Sequence, residues 1–151
     1  SRSTVAIPAF GLCGYAAIYC ADEDAIADVA NALVELEGVD FSIYKDGTEA
    51  VAVTGSNGAA RIERTQTSEE TRYRYLVSAG DPLHLQPIVE ALRQAGKLDE
   101  AGFAADKDWL EITSNHIYPD PLANLYTSLH TPRVRHTADV LVSLLDGYYY
   151  G

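Results

Sequence analysis

The chain contains no methionine, one tryptophan, three phenylalanines and two cysteines among its 151 residues. Basic residues are scarce too: 11 Lys and Arg stand against 22 Asp and Glu, for a formal net charge of −11. That balance excludes a generic nucleic-acid binder, which neutralises phosphates with clustered cations. It also disfavours an anionic membrane surface. No apolar run approaches the ~18 residues that a membrane-spanning helix requires. Ser1-Arg2-Ser3 has no apolar core of the signal-peptide kind. Cys13 and Cys20 are seven apart, a spacing outside the C-x-x-C pattern of metal sites, and no second pair completes one. If Tyr15 to Cys20 is a strand, Cys20 is a small core residue. The compartment stays open, with a soluble, cytoplasmic setting favoured.

Motifs for several chemistries are missing as well. No serine stands in a Gly-x-Ser-x-Gly elbow. Gly55-Ser56-Asn57-Gly58 lies between two expected strands and precedes no helix, so the helix-dipole argument for phosphate binding does not apply.

What remains is ordinary globular material, 47% hydrophobic and 22% charged, which argues against wholesale disorder and fits one domain over 1–151. The chain is organised around its end. Val140 to Leu145 is a β-branched apolar run between Asp139 and Asp146-Gly147, and reads as a strand buried on both faces. It delivers Tyr148-Tyr149-Tyr150, rings that want both a body contact and a hydroxyl partner. Both ends therefore read as cut from a longer protein, with an exposed terminal strand that would offer a homodimer contact.

Upstream, Thr4 to Ile7 and Tyr15 to Tyr19 read as strands. A helix capped by Asp22 follows, with Ile26, Val29, Ala30, Leu33 and Leu36 on one face and Gly38 beyond its end. The period then switches to two. Phe41–Tyr44, Ala50–Thr54, Ala59–Arg64 and Arg72–Val77 form an antiparallel meander, the last with Tyr73, Tyr75 and Val77 on one face. Pro87 to Ala95 is a short helix ended by Gly96. A loop covers Gly102 to Asp106, and Trp109, Leu110 and Ile112 mark a short buried segment. Asp120 as cap and Pro121 at the first turn start a helix with Leu122, Leu125, Tyr126 and Leu129 as its stripe. The expected class is α+β: a mixed sheet with a β-α-β unit, a small antiparallel meander and short helices on one face.

The residues that bear chemistry do not converge in sequence. His116 and Asp120 are separated by four, but Pro119 breaks any helix between them. His130 and His136 flank a proline corner. These and His84 read as surface or satisfied core histidines. Arg61, Arg64, Arg72 and Arg74 read as a solvated sheet face, with an anion site as the alternative. Asp81 and Asp120 each precede proline and cap turns or helices.

One resemblance emerges from Gly38-Val39-Asp40, Gly80-Asp81-Pro82-Leu83, Tyr118-Pro119-Asp120 with Leu125, and Ala138-Asp139-Val140-Leu141-Val142-Ser143-Leu144 with Asp146-Gly147-Tyr148. In that order these segments resemble the later part of type I phosphodiesterase/nucleotide pyrophosphatase-like proteins of the alkaline phosphatase superfamily. The resemblance implies a two-metal phosphohydrolase, commonly zinc-dependent, with a Thr or Ser nucleophile upstream and a last His ligand downstream. No Thr-His-Gly and no Asp-His pair occurs in this chain. The resemblance therefore carries over no catalytic or metal-ligating residue, and binding residues stay unassigned. It implies an accessory, cap-like region whose partner is the remainder of a catalytic domain, which supplies the two metal ions. The alternative is a stand-alone α+β binding or protein-interaction domain with Tyr148 to Tyr150 as contact surface. A small enzyme built on convergent histidines ranks last.

Overall fold

A computed structural model describes residues 14–116, 119–130 and 138–145. The expectations for Thr4–Ile7, Cys13, Tyr118, His136 and Tyr148–Tyr150 lie outside the described residues.

The architecture is α+β. Strand β1 (Gly14–Ile18) is followed by a 3₁₀ turn at Glu23–Ala25 and helix α1 (Ile26–Leu33). Asp22 caps this entry as expected, its carboxylate accepting from the Asp24 N–H at 2.9 Å. The helix stops five residues short of Gly38, because Glu35 and Leu36 donate to carbonyls three residues back. The meander follows in order: β2 (Val39–Lys45), β3 (Ala50–Gly55), β4 (Gly58–Gln66) and β5 (Thr71–Gly80). Next come α2 (Gln86–Gln94), the two-residue strand β6 (Ala104–Ala105), α3 (Asp106–Ile112), α4 (Pro121–Leu129) and β7 (Val140–Leu144).

The strands among the described residues form one sheet of seven in the order β1-β7-β2-β3-β4-β5-β6. Each described ladder is antiparallel. This is where the expected mixed sheet differs from the fold. The β-α-β unit exists in split form: β1 and β2 run the same way, but β7 lies between them and opposes both. All five residues of β7 are buried, so a position with hydrogen bonds on both sides is the one that satisfies its backbone. The expected exposed terminal strand is corrected accordingly. β7 is interior, and an edge-to-edge dimer through it has no free backbone to use.

Helices cover both faces of the sheet, a second correction. Val140, Val142 and Leu144 pack with Ala30 of α1 on one side. Leu141 points the other way, into the larger core with Phe41, Ile43, Ile62, Trp109 and Leu125. A register shift between Val39 and Phe41 lets these two residues of equal parity serve opposite cores. α1 covers the β7–β2 end of its face and reaches β3. Beyond it, the outer face of β3 to β5 carries Arg61, Glu63, Arg72, Arg74 and Leu76, the last 48% exposed. This is the wet face expected of the meander.

The loop anticipated at Gly102–Asp106 contains β6, which pairs with Arg72 and Tyr73. The segment after it is the helix α3, with Trp109 fully buried and Leu110 52% exposed, so only part of the expected buried run is inside. No helix among the described residues is long and apolar enough to cross a membrane.

Candidate functional site

The aspartates singled out in the sequence sit at three joints of the fold. At the β5–α2 junction Asp81 accepts on Oδ1 from the Tyr75 hydroxyl (2.6 Å) and the Leu85 N–H (3.0 Å), and on Oδ2 from the Gln86 N–H (2.8 Å). The Tyr75 hydroxyl in turn accepts from the Leu83 N–H at 3.1 Å. Burial first, and then the bond it gives to Asp81, pushes the Tyr75 phenol upward and keeps it a neutral donor. Asp81 thus caps the start of α2 and anchors a core tyrosine at once. Asp81→Ala should cost about 3 kcal/mol, since it strips two N–H groups and a buried hydroxyl of a charged acceptor. Asp81→Asn should cost about half of that, and urea unfolding followed by circular dichroism distinguishes the two.

Asp139 ties the ends of neighbouring strands together: Oδ2 accepts from the Cys20 N–H at 2.6 Å, and its own N–H donates to the Ile18 carbonyl at 3.0 Å. Burial chiefly, and then the Asp139 charge, pushes the Cys20 thiol up, away from the reactive thiolate.

The third joint is the most polar. Asp106 opens α3, and Asp120 stands before Pro121 in a left-handed conformation, φ 45°. The Asp120 N–H donates to Thr113 Oγ1 (3.0 Å), and Thr113 donates to the Trp109 carbonyl (2.5 Å). The Asp120 side chain makes no cap bond to α4, which departs from the expected capping role. It is turned to Asp106 instead. Burial, then the charge of Asp106 and a side-chain hydrogen bond to it, raises the Asp120 carboxyl to about 6. Tyr73 lies in the same neighbourhood, pushed up to about 12 by burial and by Asp106, with Arg64 opposing.

The arginines divide between the two faces. Arg61 pairs with Asp46 (3.0 Å) and Glu63 (3.2 Å), Arg72 with Glu70 and Asp99, and Arg74 with Glu63 and the Ala101 carbonyl. These three hold the outer face and the loop before β6, and their charge is spent on neighbouring carboxylates rather than offered as an anion site. Arg64 lies on the opposite, core-facing side. Its guanidinium sits 5.1 Å over the Tyr126 ring and bonds Gln66.

Among the described residues, His116 meets His84 through a backbone carbonyl, and His130 is tied to β3. The His116 ring donates from Nε2 to the His84 carbonyl (3.0 Å), while His84 adopts a positive φ of 59°. His130 donates from Nε2 to the Ala50 carbonyl (3.0 Å) and stacks on Tyr126 at 4.3 Å. Among the described residues no group of three or more His, Cys, Asp or Glu could hold a metal ion. The pair that sequence reasoning missed is Asp106 with Asp120. They are fourteen residues apart at the starts of different helices, and the unforeseen β6 pairing together with the Thr113–Asp120 hydrogen bond folds the segment back on itself.

Comparison with known proteins returns no match: no family model, no curated protein and no solved structure corresponds to this chain.

Proposed function

We propose that this chain is the accessory, cap-like region of a metal-dependent phosphodiesterase or phosphatase of the alkaline phosphatase superfamily, and is not catalytic by itself. It shapes access to a metal site that other parts of the polypeptide supply. The reading starts from the resembling segments. The observation that carries it is how their aspartates are used: Asp81 and Asp139 accept backbone N–H groups, and Asp120 faces Asp106. Carboxylates committed in this way position a scaffold rather than a substrate. A net charge of −11 with ion-paired arginines also repels a phosphodiester, so the positive charge for phosphoryl chemistry has to come from elsewhere. In this superfamily two divalent ions, commonly zinc, supply that charge when bound. No residue of this chain is assigned to them.

A second reading, a stand-alone binding domain, is favoured by the groove of about 360 Å³ on the outer face, lined by Tyr44, Thr54, Arg61 and Leu76. The experiment is to incubate the chain with zinc and bis(p-nitrophenyl) phosphate, and to measure bound zinc after dialysis. No turnover and less than one zinc per chain are expected. Zinc-dependent turnover with one or two ions retained would overturn the proposal.

A further inference from the structure

Among the described residues, two carboxyl oxygens inside the fold lack a donor. Oδ1 of Asp106 and Oδ1 of Asp120 are both shielded from solvent and meet no hydrogen-bond partner. Asp120 is fixed by its backbone: its N–H is held by Thr113 Oγ1, and its carbonyl accepts the Asn124 N–H at 3.3 Å. Two like charges confined without a donor repel, whereas one proton between them makes a carboxyl–carboxylate hydrogen bond. We propose that Asp106 and Asp120 form a proton-operated latch, in which one shared proton ties the start of α3 to the start of α4 and its loss drives the two helix ends apart.

Among the described residues, the surroundings leave this work to the proton. From β5, the Tyr73 hydroxyl faces the pair and stays neutral, pushed up to about 12. From β4, Arg64 is directed to Gln66 and the Tyr126 ring. On α4, the Tyr126 hydroxyl donates to the Thr48 carbonyl, and His130 is held by the Ala50 carbonyl. From α3, Thr113 donates to Trp109 and accepts from the Asp120 backbone. The guanidinium of this cation is held by Gln66 and the Tyr126 ring while its Nε stays shielded and unbonded, and its charge is not among the causes that move Asp120. Burial and Asp106 together put the Asp120 carboxyl at about 6, so the latch works across the neutral range. Because the folded value lies above the unfolded 3.8, the latch's stabilisation is complete below pH 3.8 and is lost as pH rises through about 6.

The test is carboxyl-carbon NMR of the whole chain, with amide exchange at Asn124 as the mechanical readout. Asp120 is expected to titrate near 6. Asn124 protection, corrected for the intrinsic rate, should fall about tenfold between pH 5 and pH 7.5, as the proton that holds the pair is released. Asp120→Asn, which supplies a permanent donor and tolerates the left-handed backbone, should keep protection level across that range. Asp106→Asn should do the same from the other side. Titration of Asp120 near 4 in the wild-type chain, or a pH dependence in the Asn variants equal to wild type, would overturn the latch.

Discussion

Gly80→Ala is expected to abolish cooperative folding at 37 °C, with a loss of about 4 kcal/mol or more. Gly80 holds φ 56° where β5 ends, and a Cβ built there falls on the carbonyl oxygen of Asn57. Neither side can yield. Gly80 is paired with Gly58 in the ladder, the Asn57 carbonyl accepts the Asp81 N–H at 3.2 Å, and Asn57 Nδ2 returns a bond to the Asp81 carbonyl at 3.1 Å. Relieving the clash would therefore pull Asp81 off the start of α2. Gly47→Ala is the control. It has a positive φ of 77° but open space around it, so only the conformational strain of about 1 kcal/mol applies. Urea midpoints for the two variants measure the contrast. Equal losses would mean that strain, rather than the contact with Asn57, governs the joint.

Trp109→Ala should cost about 3 to 5 kcal/mol, the range for emptying a buried tryptophan site. Trp109 is fully buried between α3 and the sheet, and its indole N–H donates to the Tyr73 carbonyl at 3.0 Å. The same side chain thus fills the larger core and satisfies a backbone carbonyl beside β6. Trp109→Phe separates the two roles: most of the volume returns, and a residual loss of about 1 to 2 kcal/mol reports the unpaired carbonyl. Thermal melts followed at 222 nm give both values, since the variants lack the chain's one tryptophan as a fluorescent probe. A Phe variant as damaged as the Ala variant would place the importance in the hydrogen bond alone.

Much of the fold is legible in the residues. Alternation along Arg72 to Val77 gives the two faces of β5, and Asp120-Pro121 with the leucine stripe gives α4. The apolar run at Val140 to Leu145 reads as a strand with both faces covered; Val140–Leu144 is one, while Leu145 lies past its end and is exposed. Its neighbours are not written in it, because pairing is decided by which strands lack a partner, and so the split unit and its antiparallel ladders emerge only in three dimensions. The separation of Arg61 from Arg64 is itself a readable signal. Residues three apart in a strand point to opposite faces, so the two could not share one exposed surface with Arg72 and Arg74. β6 is two alanines long, too short for any period, and with it the meeting of Asp106 and Asp120 stays hidden. Asp120 carries the cap signature but adopts φ 45°, which turns its carboxyl away from α4 and toward Asp106.

The claim at the centre is that these acidic groups hold the scaffold and take no part in bond breaking. It is tested most directly in the longer polypeptide proposed to contain this chain, by measuring kcat for a phosphodiester with Asp81→Asn, Asp120→Asn and Asp139→Asn in turn. At a temperature where each variant remains folded, kcat should stay within about twofold of wild type while the unfolding midpoints move. A fall of about a thousandfold in kcat with an unchanged midpoint, the size of effect expected from losing a catalytic carboxylate, would contradict it.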